Sequence, residues 1–165
     1  LQRRGIATLL FDLLTPQEDR DPEARFDIPL LTRRLLAASD WLSGQAATAR
    51  LPLGYFGAST GAAAALEAAA ERGAGVSAVV SRGGRPDLAG IGLLEAVSAP
   101  TLLIVGGFDD VVIGLNRKAL ARLACEKELV IVPGATHLFE EPGTLELAAE
   151  HAARWFKKHL RPAKA

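Results

Sequence analysis

The stretch that decides the fold is LPLGYFGASTGAAAALEAAAERG, residues 51–73. It opens with an apolar run, residues 51–56, which predicts a β-strand, and the alanine-rich residues 62–72 have the highest helix propensity in the chain. The motif G-A-S-T-G at residues 57–61 lies between them, so the chain must pass from strand to helix in a tight turn. Gly73 then ends the helix. A strand joined to a helix by so short a turn predicts a βα unit of a parallel sheet.

The same alternation extends in both directions along the chain. Five strands are predicted in all, because apolar runs also occur at residues 6–11, 76–81, 101–105 and 128–132. Helical patterns separate them, at residues 29–43, 88–97, 115–124 and from about 145 to 160. We therefore expect a single α/β domain over residues 1–165, with a doubly wound, mostly parallel sheet and helices on both faces.

Composition argues against several classes of protein. Lys and Arg number 19, and so do Asp and Glu, so no net field would draw the chain to nucleic acid or to an anionic membrane. No apolar run approaches the roughly 20 residues that span a bilayer. The single cysteine, Cys125, excludes an internal disulfide and fits a reducing cytoplasm, where we expect the protein. No phosphate-binding, dinucleotide-binding or His/Glu metal motif is present, so we expect neither a cofactor nor a metal.

The motif at residues 57–61 has the pattern G-x-S-x-G, which places a serine on a strained strand-to-helix turn. Small residues two positions before and two positions after Ser59 would let the two backbones approach closely and lift the hydroxyl clear of the sheet. The free N–H groups of the following helix would then face a developing oxyanion. The pattern thus predicts Ser59 as a nucleophile. The alternative is an ordinary tight turn in which Ser59 only caps the helix.

A serine nucleophile needs a base and an acid, and candidates for both follow later strands. Asp109 and Asp110 come shortly after the fourth predicted strand, and His137 follows the fifth. Because parallel strands bring their carboxyl ends to one edge of the sheet, these side chains are expected near Ser59. The trio predicts a Ser-His-Asp site with either aspartate as the acid. Taken singly, His137 could be a surface histidine, and the aspartates could cap the next helix.

Arg82 and Arg85 lie in the Gly-rich loop that follows the strand at 76–81. At that edge of the sheet a guanidinium could hold a substrate carboxylate or phosphate. A solvated turn, or an ion pair with Asp87, is an equally good interpretation. Both arginines are therefore candidate substrate-binding residues.

Three segments together resemble one known family. They are YFGASTGAAAAL at 55–66, LLIVGGFDDVV at 102–112 and VPGATHLFEEPG at 132–143, and each is similar to a motif of dienelactone hydrolase-like α/β-hydrolases. The resemblance implies an α/β-hydrolase fold and selects Asp109 over Asp110 as the acid. Some members of the family use a cysteine nucleophile, so Ser59 puts the chain nearer the serine esterase-like branch.

The resemblance also implies that the first strands of the fold are missing. Hydrolases of this kind open with strands and a His-Gly loop that supplies one oxyanion-hole N–H, and no such loop occurs in these 165 residues. The missing strand would lie between the strands at 6–11 and 52–56. Some proteins similar to this one carry the hydrolase-like part beside a phosphoribosyltransferase domain, which implies a fused or neighbouring partner of that kind.

The expected function is hydrolysis of a small-molecule ester, lactone or thioester through an acyl-enzyme on Ser59. The backbone N–H of Thr60, the residue after the nucleophile, would be an oxyanion donor. Acyl transfer to an acceptor other than water would use the same residues. The alternative of a different class is a non-catalytic or degenerate hydrolase domain that binds a ligand or a partner, and the absent oxyanion loop favours it.

Overall fold

Within residues 1–160, which the computed structural model describes except for the side chain of Ile91, four strands and five α-helices make up the fold. The strands are β1 (Gly54–Ala58), β2 (Ala78–Arg82), β3 (Thr101–Gly106) and β4 (Lys127–Val132). The helices are α1 (Ile28–Ser43), α2 (Thr60–Arg72), α3 (Ile91–Ala96), α4 (Asp110–Arg122) and α5 (Thr144–His159). The strands are parallel and lie in the order β1-β2-β3-β4. The predicted α/β class with a parallel sheet is confirmed.

Helices cover both faces of the sheet, as predicted. Side chains alternate along each strand, so Val79 and Leu103 join the core beneath α1 and α2, whereas Val80 and Leu102 join the core beneath α5. The alanines of α2 at positions 62–65, 68 and 69 are almost completely buried. Because these side chains are small, α2 can lie close to both the sheet and α1, and this closeness sets the turn that leads into the helix.

The strand predicted at residues 6–11 is wrong, because this segment has no regular secondary structure. Leu10 is 97% exposed and Leu9 is 46% exposed, so these apolar side chains do not enter the core. A strand is stable only beside a neighbour that completes its ladder of hydrogen bonds. Among the described residues β1 pairs with β2 alone, and no strand joins β1 to residues 6–11. Apolar composition predicted the strand, but it could not supply the partner.

The remaining predicted elements are confirmed with shifted ends. The strand predicted at 51–56 forms at Gly54–Ala58 and so extends into the G-A-S-T-G motif. Pro52, which has no N–H to donate to a ladder, is left outside it. The helix predicted at 88–97 divides into a short 3-10 turn at Pro86–Leu88 and the six-residue α3.

Truncation of a side chain in the central sheet should be far more costly than truncation on the surface. Leu103 in β3 is completely buried, so Leu103→Ala should lower the free energy of unfolding by about 2–5 kcal/mol. Leu145, which is 51% exposed in the first turn of α5, is the matched control, and Leu145→Ala should cost little. Urea denaturation of both variants measures the difference. Equal losses would contradict the position of β3 in the core.

Candidate active site

Ser59 lies between the last residue of β1 and the first residue of α2, in a backbone conformation that side-chain-bearing residues rarely adopt. Its φ is 49° and its ψ is −121°. A conformation of this kind costs about 1–3 kcal/mol and persists only where the surroundings enforce it. Although Ser59 directly precedes α2, its side chain makes no capping hydrogen bond to the helix. The alternative in which Ser59 merely caps α2 is therefore not what the structure adopts.

A close approach of two backbones at Gly57 enforces this turn. A Cβ at Gly57 would lie 2.3 Å from the carbonyl oxygen of Gly61 and 2.6 Å from Cα of Ala62. At Gly61, in contrast, an added Cβ would meet nothing nearer than Leu13 Cδ1 at 3.9 Å. The sequence pattern predicted the same role for both glycines, but the structure gives them different roles. Only Gly57 must lack a side chain, and Gly61 supplies the backbone that comes close to it.

Asp109 and His137 form a short hydrogen bond. The distance from His137 Nδ1 to Asp109 Oδ2 is 2.7 Å, and the other carboxylate oxygen accepts the N–H of Val112 at 3.4 Å in the first turn of α4. Asp109 therefore orients the histidine and caps the helix at once. The neighbouring Asp110 is exposed inside α4, so of the two candidate aspartates it is Asp109 that is hydrogen-bonded to His137. With Nδ1–H donated to the acid, Nε2 of the imidazole is left to accept a proton.

Backbone contacts between two loops bring the acid and the histidine together. A Cβ at Gly106 would lie 2.5 Å from the carbonyl oxygens of both Ala135 and Thr136. Phe108 N–H also donates to the Ala135 carbonyl at 2.9 Å, which ties the loop carrying the acid to the loop carrying the histidine. The Gly-Gly pair at 106–107, directly after the strand predicted at 101–105, was the sequence signal that could have predicted this close approach.

The turn that carries His137 is held from both sides. Thr136 N–H donates to Glu141 Oε2 at 3.0 Å, and hydrogen bonding from Thr136 holds the pKa of Glu141 below its usual range. Phe139 has a φ of 58°, yet its side chain is 2% exposed and belongs to the core beneath α5. Burial of this ring therefore anchors a strained backbone two residues after the histidine.

The two candidate arginines have different surroundings. Arg85 makes a two-pronged ion pair with Asp87, through Nε at 2.9 Å and Nη2 at 2.8 Å, which raises the pKa of Arg85 and lowers that of Asp87. The ion pair with Asp87, which was one of the two interpretations of the sequence, is thus present for Arg85. Arg82 lies over the ring of Phe139, with Cζ 5.3 Å from the ring centroid, and partial burial lowers its pKa. No carboxylate in residues 1–160 pairs with Arg82.

Ser59 and the histidine share the carboxyl edge of the sheet without a direct hydrogen bond. His137 Nδ1 is bonded to the acid, and no hydrogen bond joins Ser59 Oγ to the imidazole among the described residues. Residues 82 and 83 connect Ser59 with His137. Ser59 N–H donates to the carbonyl of Arg82 at 3.3 Å, and Gly83, the residue after Arg82, lies beside the imidazole. A Cβ at Gly83 would lie 3.6 Å from His137 Nδ1 and Cε1. Catalytic hydrogen bonds are often long in uncomplexed enzymes and tighten when substrate binds.

The other side chains that could bind a metal or act as a nucleophile or base lie away from this edge of the sheet or do not form a cluster. In the part of the chain that the structure describes, no group of three or more His, Cys, Asp and Glu side chains could hold a metal ion. His151 and His159 both lie on α5, where they contact Arg154 and Trp155 respectively. Cys125 Sγ is 3.7 Å from Thr101 Oγ1 at the opposite end of β3. Across residues 1–160 no helix has both the length and the apolar character to cross a membrane.

A parallel sheet with helices on both faces, a strained serine elbow after one strand and an Asp-His pair after two later strands define the α/β-hydrolase fold. A crystal structure of dienelactone hydrolase from Anabaena variabilis superposes with a TM-score of 0.92 at 57% identity, over 97% of this chain and 76% of that one. The chain belongs to the dienelactone hydrolase-like family. The esterase domain of a Rhodothermus marinus protein, at TM-score 0.68 and 19% identity over 79% of this chain and 70% of that one, shares the fold.

Curated relatives are longer than this chain. A Mycobacterium tuberculosis protein named "Putative phosphoribosyl transferase" is 62% identical over 156 residues, which is 94% of this chain and 35% of that protein. The chain thus spans about a third of the length of the curated relatives it matches most strongly. No family model matches the chain.

Gly57 and Gly61 give a sharp test of the elbow. Gly57→Ala should lower the free energy of unfolding by about 3 kcal/mol or more, because the added methyl would overlap backbone atoms of Gly61 and Ala62, which cannot move aside without shifting α2. Gly61→Ala adds the same methyl group within a helix, where its nearest neighbour would be Leu13 Cδ1 at an unstrained 3.9 Å, so stability should be unchanged or slightly higher. Denaturant unfolding of the pair measures this. Tolerance of Gly57→Ala would show that the two backbones are farther apart.

Proposed function

We propose that this domain is a serine hydrolase that cleaves an ester, lactone or thioester by way of an acyl-enzyme. The observation that carries the proposal is the 2.7 Å Asp109–His137 hydrogen bond at the sheet edge where Ser59 occupies its strained elbow. Each part of this arrangement has a separate structural explanation, but together they supply a nucleophile, a base and an acid that orients the base. Membership of the dienelactone hydrolase-like family supports the same reaction class.

The first half of the proposed reaction forms the acyl-enzyme. Ser59 Oγ attacks the carbonyl carbon while His137 Nε2 takes the hydroxyl proton, and Asp109 stabilises the resulting imidazolium. The carbonyl π electrons move to oxygen, where the N–H of Thr60 at the amino end of α2 would donate a hydrogen bond. Collapse of this intermediate expels the alcohol or thiol, which receives the proton from His137.

The second half returns the serine. Water gives a proton to His137 Nε2 as its oxygen attacks the acyl carbon, and Ser59 leaves with that proton as the acid product forms. Every step uses side chains and N–H groups of the protein, and none requires a cofactor or a metal. If an alcohol or amine replaced water, the same residues would transfer the acyl group instead.

The proposal also covers the class of substrate and a neighbouring domain. We expect a small-molecule ester-like substrate, since relatives with this fold are named as a dienelactone hydrolase and an esterase domain. Of the two candidate arginines, Arg85 is already paired with Asp87, so an anionic substrate group would have to compete with that ion pair. The name of the Mycobacterium tuberculosis relative supports a phosphoribosyltransferase domain fused to or beside this one in the whole protein.

Covalent labelling with a fluorophosphonate tests the proposed triad. The probe should attach to Ser59, as located by peptide mass mapping, and labelling should vanish in Ser59→Ala and in His137→Ala. Asp109→Asn keeps the shape of the acid but loses its charge, so turnover of a 4-nitrophenyl ester should fall by roughly 10³- to 10⁴-fold. Asp110→Asn, one residue along and exposed, is the matched control and should label as fast as the wild type.

Two outcomes would contradict the triad. Retained turnover in His137→Ala, with the fold intact by circular dichroism, would exclude His137 as the base. Absence of labelling in the whole protein would favour the alternative of a non-catalytic hydrolase-fold domain that binds a ligand or a partner.

A further inference from the structure

Arg82 touches both sides of the site that is proposed above. Through its main chain it meets the nucleophile, because its carbonyl accepts the N–H of Ser59 at 3.3 Å. Through its side chain it meets the turn that carries the base, because Nη1 donates to the carbonyl of Leu138 at 3.4 Å. The same guanidinium lies over the ring of Phe139, at 5.3 Å from the centroid. It therefore contacts the two residues that follow His137.

The turn at residues 82–85, which begins with Arg82, is fixed by hydrogen bonds to three neighbouring parts of the structure. Gly83 N–H donates to the carbonyl of Ile104 in β3 at 2.7 Å. Asn116, which is completely buried in α4, donates from Nδ2 to the carbonyl of Gly84 at 3.0 Å. Arg85 N–H donates back to the carbonyl of Ser59 at 3.1 Å. The 82–85 turn is thus bonded to β3, to α4 and, from both of its ends, to the nucleophile.

We propose that Arg82 is a positioning residue that sets the His137 imidazole relative to Ser59. The proposal rests on the proposed function, because it assigns Arg82 a role in that same site. Asp109 fixes the imidazole from one side, but a single hydrogen bond to Nδ1 leaves the ring free to swing about that contact. The guanidinium contacts Leu138 and Phe139 and so fixes the backbone that follows His137. Because the 82–85 turn is hydrogen-bonded to Ser59, the position of that backbone is fixed relative to the serine.

This role differs from that of a substrate-binding arginine in what it does to kinetics. A positioning residue changes the geometry of proton transfer, so its loss lowers kcat for every substrate and leaves KM nearly unchanged. An arginine that binds an anionic group would instead raise KM for anionic substrates alone. The two roles can therefore be separated with one neutral and one anionic ester of the same leaving group.

The test uses Arg82→Gln in the whole protein, assayed with 4-nitrophenyl acetate and with the anionic mono-4-nitrophenyl succinate. Gln keeps hydrogen-bond donors but removes the charge and the flat guanidinium, and the carbonyl that holds Ser59 is unaffected. We expect kcat to fall about 10- to 100-fold with both esters. Arg82→Lys, which keeps a charge and a donor, should recover part of the rate.

Arg25→Gln is the matched control, because Arg25 pairs with Asp19 on the exposed surface and should leave both esters unaffected. A kcat that is unchanged with both esters, or a rise in KM for the anionic ester alone, would overturn the positioning role. If Arg82→Gln does not fold, the same comparisons are made with Arg82→Lys.

A spectroscopic measurement separates failure of this proposal from failure of the proposed function. If the wild type hydrolyses neither ester, the proposed function fails, and the ring ¹⁵N and ¹H signals of His137 still report on its position. These signals are assigned by their loss in His137→Ala. Arg82→Gln should shift or broaden them, and unchanged signals would overturn the positioning role whatever the enzyme assays give.

Discussion

The contact between β1 and α2 at Gly57 is the constraint on which the site depends. The backbone of Gly61 lies where any side chain at position 57 would have to be, so the chain between them has only one short path. That path takes Ser59 through a positive φ, and its side chain makes no capping hydrogen bond to the helix it precedes. The nearly complete burial of the α2 alanines maintains the contact, because a larger side chain on the inner surface of the helix would push it away from the sheet.

A second close contact, at Gly106, brings Asp109 and His137 together, as the contact at Gly57 shapes the turn at Ser59. Two carbonyl oxygens of the loop after β4 lie against the Cα of Gly106, and this brings His137 within hydrogen-bonding distance of Asp109. Both contacts occur at the carboxyl edge of the parallel sheet, between β1 and α2 at Gly57 and between the end of β3 and the loop after β4 at Gly106. In such a sheet the loops at this edge emerge side by side, and glycine lets their backbones meet without intervening side chains. The arrangement of Ser59, Asp109 and His137 in the candidate site therefore depends mostly on main-chain contacts.

The sequence predicted the elements that depend on local pattern and missed those that depend on a partner. The G-x-S-x-G motif and the order of later strands predicted where Ser59, Asp109 and His137 would lie, because parallel connectivity sends strand ends to one edge. The segment at 6–11 has the composition of a strand and lacks the neighbour that would make it one. Likewise, the difference between Gly57 and Gly61 is a matter of which atoms face each other across the turn, and no spacing in the sequence encodes that.

The strain in this molecule lies where the proposed chemistry would occur. Among residues 1–160 only two residues other than glycine have positive φ, namely Ser59, the proposed nucleophile, and Phe139, two positions after His137, the proposed base. Glycine would relieve the strain at either position, but it would remove the hydroxyl at one and the buried ring at the other. Each side chain is therefore kept despite an unfavourable backbone, and neighbouring contacts must offset the cost. At Phe139 those contacts are burial against α5 and the guanidinium of Arg82, whose carbonyl also accepts the N–H of Ser59, so one arginine contacts both strained residues.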